Sequence, residues 1–186
     1  MATWAGKWPP DVVIYDGTVK IRPPSLAELP VLMEIEREAG HCFSGIGMPE
    51  IAADDPLPVA VLDSYRLAGM AWVAAESSDS PVAYLIADLI DGNLHIEQVS
   101  VRPSHAGQRI GGSLLEHAAQ HAVSQGLAAL TLTTFADVPW NAPYYERCGF
   151  YVLDDDLLPP GLRVVRQREA EHGLDRWPRV CMRRDL

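Results

Sequence analysis

Cysteine is scarce in this chain: Cys42, Cys148 and Cys181 are the only three among 186 residues, far apart and without a C-x-x-C pair. That spacing indicates neither a zinc site nor a disulfide framework and suits a reducing compartment. Long apolar runs are missing as well, since no stretch approaches the roughly 18 residues that span a bilayer. The first residues hold no charged segment followed by an apolar core, so the expectation is a cytoplasmic protein with no membrane partner. Cationic residues are outnumbered, 15 Lys and Arg against 25 Asp and Glu, for a formal net charge of -10. Such a surface repels nucleic acid and attracts cations, among them amines, although surplus carboxylates also serve solubility alone.

The rest of the composition is ordinary, with 48% apolar and 22% charged residues. The expectation is a single domain over residues 1–186, with residues 1–17 as an N-terminal arm or extra strand. Val12 to Tyr15 and Thr18 to Arg22 read as strands around the turn Asp16-Gly17. Ser25 with Glu28 three residues on signals a helix start, and apolar spacing carries that helix to Gly40. His41 to Pro58, rich in Gly, Pro and Asp, reads as a long loop with room for one short turn. Val59 to Ala68 reads as a second helix stopped by Gly69. Met70 to Ala75, Val82 to Leu89 and Leu94 to Val101 then read as three consecutive strands.

Ile110, Leu114, Ala118 and Ala122, with Leu115 and Ala119 beside them, give one apolar face to a helix ending near Gln125. A strand over Leu127 to Thr133 should lie parallel to the Leu94 strand, because a helix connects them. A short helix ending at Gly149, a strand through Val152, a helix over Leu162 to His172 and a last strand over Arg179 to Arg183 complete the chain. An exposed last strand would permit a homodimer. The fold class is α/β, a mixed sheet with flanking helices.

The chemistry centres on the stretch SVRPSHAGQRIGGSLL, residues 100–115. Pro103 closes a strand, and Ala106, Gly107, Gln108, Arg109, Ile110, Gly111 and Gly112 form a loop of mostly small residues opening into a helix. Free N–H groups at such a helix start, with the positive end of its dipole, favour a phosphate. The stretch resembles the acetyl-CoA motif of the GNAT superfamily of N-acetyltransferases. Aligned on Leu114-Leu115, Arg109 stands at the first Gly of that motif, Gly111 at its second small position, and Ala106 where Gln or Arg is usual. A second register starts at Gln108 and places Gly111 and Ser113 on the small positions.

A second landmark, Tyr144-Tyr145-Glu146-Arg147-Cys148-Gly149-Phe150, resembles the GNAT segment in which Tyr, three residues and Gly-Phe follow a strand. The resemblance implies acetyl-CoA as co-substrate, no metal, and a small-molecule or peptide amine as acceptor. It puts the general acid on Tyr145 and the general base on Glu97, while strand alternation sets His95 on the side of Glu97 as the reserve base. Val99, Ser100 and Val101, through their backbone, and Asn141 and Tyr144 would meet the cofactor's pantetheine arm. Residues 106–112 and Ser113 would hold its phosphates, and the Val99 N–H would face the thioester carbonyl.

Each assignment has a plainer reading. Tyr145 can be a half-buried aromatic bonded to a carbonyl, Glu97 an exposed strand residue, and His95 a satisfied core histidine. His117 and His121 lie off the apolar stripe and read as solvated, and HAAQH is not H-E-x-x-H. Arg163, Arg166 and Arg168, interleaved with Glu169 and Glu171, read as a solvated helix face. Phe43, Trp72, Tyr84 and Trp140 read as core, or as an acceptor pocket. The functional expectation is an N-acetyltransferase acting by direct attack in a ternary complex. The alternative is a non-catalytic acyl-CoA-binding sensor or interaction module of the same fold.

Overall fold

A computed structural model of the chain describes residues 13–15 and 19–186. The arm expected at Met1 to Pro10 and the turn at Asp16-Gly17 lie outside the described residues. In chain order the elements are β1 (Val13–Tyr15), β2 (Val19–Arg22), α1 (Leu29–Gly40), α2 (Pro49–Ala52), α3 (Val59–Ala68), β3 (Ala71–Ala75), β4 (Pro81–Ile90), β5 (Asn93–Val101), α4 (Ile110–Ser124), β6 (Ala129–Phe135), α5 (Ala142–Arg147), β7 (Tyr151–Val152), α6 (Pro160–Glu171) and β8 (Arg179–Asp185).

The eight described strands form one sheet in the order β1-β2-β3-β4-β5-β6-β8-β7. Every pairing is antiparallel except β5 with β6, where the α4 crossover returns the chain in the same direction. Both faces of the central strands are covered, so these strands are apolar throughout rather than alternating. One core layer joins Leu85, Leu94, Ile96 and Leu132 to Leu114, Leu115 and Ala118 of α4. The other joins Val73, Tyr84 and Ile86 to Leu29, Leu32 and Ile35 of α1 and Leu62 of α3.

Helix boundaries follow local chemistry. The Ser25 N–H donates to Glu28 Oε2 at 2.7 Å, but one 3-10 turn at Leu26–Glu28 precedes α1. At the end of α5, Gly149 takes φ 88°, its N–H meets the Glu146 carbonyl at 3.0 Å and the Phe150 N–H meets that of Tyr145 at 3.0 Å. This left-handed stop uses the conformation that glycine adopts without a Cβ penalty, and it sends Phe150 into the core.

Some expectations are refined or corrected. The segment His41 to Pro58 holds more than one short turn, namely a 3-10 helix at His41–Ile46 and the short α2. His117 and His121 are not solvated: both rings meet Trp72 edge to face, at 5.8 and 5.0 Å, and His117 is buried. Trp72 reaches across from β3 and widens the buried stripe of α4 beyond the aliphatic residues. On α6, Arg163 and Arg168 are exposed as expected, whereas Arg166 is half-buried, because Glu169 binds Arg166 and Arg179 at 2.5 Å each and accepts from Thr133. The last strand is covered in part, since the two residues of β7 pair with it at Arg183 and Met182.

Candidate active site

Two irregularities of β5 create the site. Cα pairing with β4 runs Ile86↔Gln98 and then Ala87↔Ile96, so Glu97 is the extra residue of a β-bulge. Leu94, Ile96, Val99 and Val101 all pack on the α4 side, which leaves His95, Glu97, Gln98 and Ser100 off that layer. The bulge thereby keeps the strand in register while turning two successive residues away from α4. Parallel pairing with β6 covers only Leu94↔Leu130, His95↔Thr131 and Ile96↔Leu132. Beyond Ile96 the two strands part, and the backbone of residues 97–101 faces the opening on that side.

The glycine-containing loop lies at the end of the same strand. After a 3-10 turn at Pro103–His105, Ala106, Gly107, Gln108 and Arg109 are exposed. Gly107 has φ 78° and Arg109 φ 60°, and α4 starts at Ile110. Arg109 therefore holds the left-handed conformation that a glycine would supply. A left-handed residue before a right-handed helix aims successive N–H groups in one direction and makes an anion-binding concavity. Buried Ile110 anchors the helix start, Gly111 is buried and Gly112 is partly so. Ser113 turns its hydroxyl to the Arg109 carbonyl at 3.3 Å. Ser100 is buried and accepts from Gln98 at 2.8 Å, so only its backbone can face a ligand.

On the α4 side, α5 brings two tyrosines to the opening. A Cβ placed on Gly111 would lie 2.9 Å from the Tyr144 hydroxyl and 3.7 Å from Val101 Cγ2. Tyr145 packs edge to face on Tyr144 and Phe150, with centroids 5.5 and 5.7 Å apart. Burial, followed by the neighbouring Cys148, pushes both phenols well above their ordinary range, so both hold their protons. Asn141 donates to Thr134 Oγ1 at 2.7 Å, while its Oδ1 is buried with no hydrogen-bond partner among the described residues.

On the opposite face of the sheet, charged groups surround Glu97. Its side chain is exposed, yet enough protein surrounds the carboxyl that desolvation raises its pKa. The Asp88 and Glu169 carboxylates raise it further, against Arg168 and Arg179. Tyr65 donates to Asp88 Oδ2 at 2.8 Å. His95 lies on the same side, but it is 1% exposed, its Nδ1 lies 3.0 Å from Thr131 Oγ1, and burial lowers its pKa to about 4. It is a neutral core histidine.

Further along this face, sequence reasoning missed a pocket. A cavity of about 260 Å³ is lined by Ile46, Met48, Phe135, Val138 and Trp177, with Asp137 in its wall. Phe43 and Trp140 join the same aromatic group, whereas Trp72 and Tyr84 belong to the two core layers. Thr131, Thr133 and Phe135 share one side of β6, and that alternation was the available signal; ending the strand at Thr133 hid it. Among the described residues no group of three or more His, Cys, Asp or Glu could hold a metal ion. No helix there is long and apolar enough to cross a membrane.

Known structures share this architecture. The PaiA N-acetyltransferase of Thermoplasma acidophilum, solved with coenzyme A, superposes with a TM-score of 0.67 at 16% identity, covering 91% of this chain and 99% of that one. The ribosomal-protein-S18-alanine N-acetyltransferase of Escherichia coli gives 0.62 at 19% identity, covering 90% and 94%. A GNAT family acetyltransferase of Brucella melitensis in complex with acetyl-CoA gives 0.52 at 22%, covering 72% and 82%. At such identities these likenesses establish the fold. The sequence pattern of the Acetyltransferase (GNAT) family matches residues 32–150, well over half of the chain and including the bulged strand, the glycine-containing loop and both tyrosines. The chain belongs to the GNAT acetyltransferase family.

Proposed function

We propose that this protein transfers the acetyl group of acetyl-CoA to a primary amine by direct attack within a ternary complex. The observation that carries the reading is the parting of β5 and β6 after Ile96 and Leu132. The bulged Glu97 stands on one face of that opening, and the glycine-containing cradle with Tyr144 and Tyr145 stands on the other. Buried Asn141 Oδ1, with no partner among the described residues, is the kind of acceptor that a pantetheine amide N–H would satisfy. Arg109 and Gly107 preserve the backbone turn on which phosphate binding depends. The residues present therefore fit acetyl-CoA, which would supply an activated acetyl thioester.

Within this reading, backbone groups of Val99, Ser100 and Val101 hold the pantetheine arm, and the Val99 N–H polarises the thioester carbonyl. Glu97, with its raised pKa, takes a proton from the amine, directly or through water. Tyr145 gives a proton to the departing thiolate. Residues 106–112, with Ser113 behind them, hold the phosphates through backbone amides.

Calorimetric titration with acetyl-CoA tests the reading. Micromolar binding by the native chain, lost in Gly111→Trp, together with release of free thiol in the presence of amines, is the expected result. Binding without thiol release from any amine would favour the non-catalytic acyl-CoA-binding module. No binding by either protein would overturn both.

A further inference from the structure

We propose that the acceptor is a small amine carried on an aromatic body, whose ring enters the cavity between Phe135 and Trp177. The inference rests on the acetyltransferase reading and names its substrate class. The cavity lies on the Glu97 face of the sheet, opposite the glycine-containing cradle. Thr131, Thr133 and Phe135 alternate onto this face. Thr131 meets His95 and Thr133 meets Glu169, whose charge acts on Glu97. Phe135 is three residues beyond Leu132, the β6 residue paired with Ile96 at the bulge. Glu97 lies one residue beyond Ile96 in the same direction, so at about 3.3 Å per residue the cavity's inner wall is about 7 Å along the sheet from the base, besides the gap across the parted strands, and a ring there reaches Glu97 through a linker of roughly two to four atoms.

The cavity walls select the body of that amine. About 260 Å³ is available, and an apolar cavity of roughly 150 Å³ already accepts benzene. Phe43, Phe135, Trp140 and Trp177 form a chain of edge-to-face contacts with centroids 5.7, 5.7 and 6.1 Å apart. One more ring extends that arrangement at its preferred spacing. A polyamine, with cationic or polar groups along its whole length, would be desolvated here with a single carboxylate in the wall.

Charge selects an amine over a neutral or anionic aromatic. The two guanidinium groups stacked at this site are already paired. Arg179 lies over Phe135 at 4.6 Å and binds Glu169, and Arg176 lies over Trp177 at 4.9 Å and binds Glu50 at 3.3 Å. Among the described residues no ion pair holds Asp137, the exposed carboxylate of the wall. It attracts the ammonium form as it approaches. In the reaction the amine loses one proton to solvent before binding. Its nitrogen then bonds to the thioester carbon as the carbon–sulfur bond breaks, a second proton passes to Glu97, and the sulfur leaves as thiol with a proton from Tyr145.

The test compares phenethylamine, spermidine and an alanine-initiated tripeptide as acceptors, read as free thiol released from acetyl-CoA. The expected result is a kcat/KM for phenethylamine at least about tenfold above the other two. Ile46→Trp, which fills the cavity from an exposed position, should raise the phenethylamine KM by about tenfold with kcat changed far less. Asp137→Asn should lower kcat/KM for phenethylamine most at low ionic strength. Calorimetric acetyl-CoA affinity serves as the folding control for both variants. Faster turnover of spermidine or the tripeptide, or an unchanged phenethylamine KM in Ile46→Trp, would overturn this inference and leave the acetyltransferase reading standing. Failure to bind acetyl-CoA, with no thiol from any amine, would instead overturn that reading and this inference with it.

Discussion

The Tyr144 hydroxyl occupies the space beside Gly111 that a side chain would need, 2.9 Å from where a Cβ would stand. The contact joins α5 to the first turn of α4, so the cradle and the two tyrosines are held as one unit. Replacing a helical glycine by alanine ordinarily gains about 1 kcal/mol. Here Gly111→Ala should instead destabilise or break even, because the methyl group displaces Tyr144. In the Tyr144→Phe background the gain should return, giving a coupling of about 1 kcal/mol in a double-mutant cycle of urea unfolding. Strict additivity of the two changes would refute the contact.

Arg109 bears the strain of the loop. At φ 60° an L-residue costs about 1–2 kcal/mol relative to its ordinary backbone regions. Arg109→Gly relieves this at the expense of unfolded-chain entropy, so its midpoint of unfolding should be unchanged or slightly higher. Arg109→Val should be less stable by about 1–2 kcal/mol, because a β-branched residue tolerates this region least. Thermal unfolding of the two variants, in either order but the expected one, would show that the helix starts elsewhere.

The pH profile should carry the signature of Glu97. Desolvation first, then Asp88 and Glu169, raise its pKa above the ordinary 4.5. As the proposed base Glu97 works only as carboxylate, so kcat at saturating amine, which does not report protonation of the free amine, should fall as pH drops through a value above 4.5. Glu97→Gln should lower kcat by about 100-fold and remove that acidic limb while acetyl-CoA affinity stays within about twofold. An acidic limb that survives in Glu97→Gln would assign the proton to another group.

Stability should record His95 in a different window. Its pKa falls from 6.5 to about 4 on folding, so the unfolded chain binds more protons between those values and stability is lost as pH falls from 6.5 toward 4. The gap corresponds to about 3 kcal/mol at its limit. Glu36 and Glu97, raised on folding, act in the opposite sense, and Glu28, lowered to about 2, acts only below 4.5. The measurement is therefore a difference curve between the native chain and His95→Gln, which keeps a hydrogen-bonding group without titrating. A flat difference between pH 6.5 and 4.5 would mean that His95 charges in the folded protein.

Local signals were sufficient for most of the elements and for the glycine-containing loop that opens α4. Gly69 and Gly149 end helices, Pro103 ends a strand, and the four-residue spacing from Ile110 to Ala122 defines α4. Backbone preference and apolar period are properties of neighbours in sequence, so the chain by itself determined these features, together with the places of Tyr144, Tyr145 and the helix start at Ile110. Tertiary structure alone decided the remainder. The bulge at Glu97 is a matter of register against Ile86 and Ala87, the parting of β5 from β6 depends on where pairing with Leu132 stops, and His117 is buried because Trp72 arrives from β3. The aromatic cavity draws Ile46, Phe135 and Trp177 from three segments separated by tens of residues. Such relations arise from long-range pairing and packing, which no local window of sequence encodes.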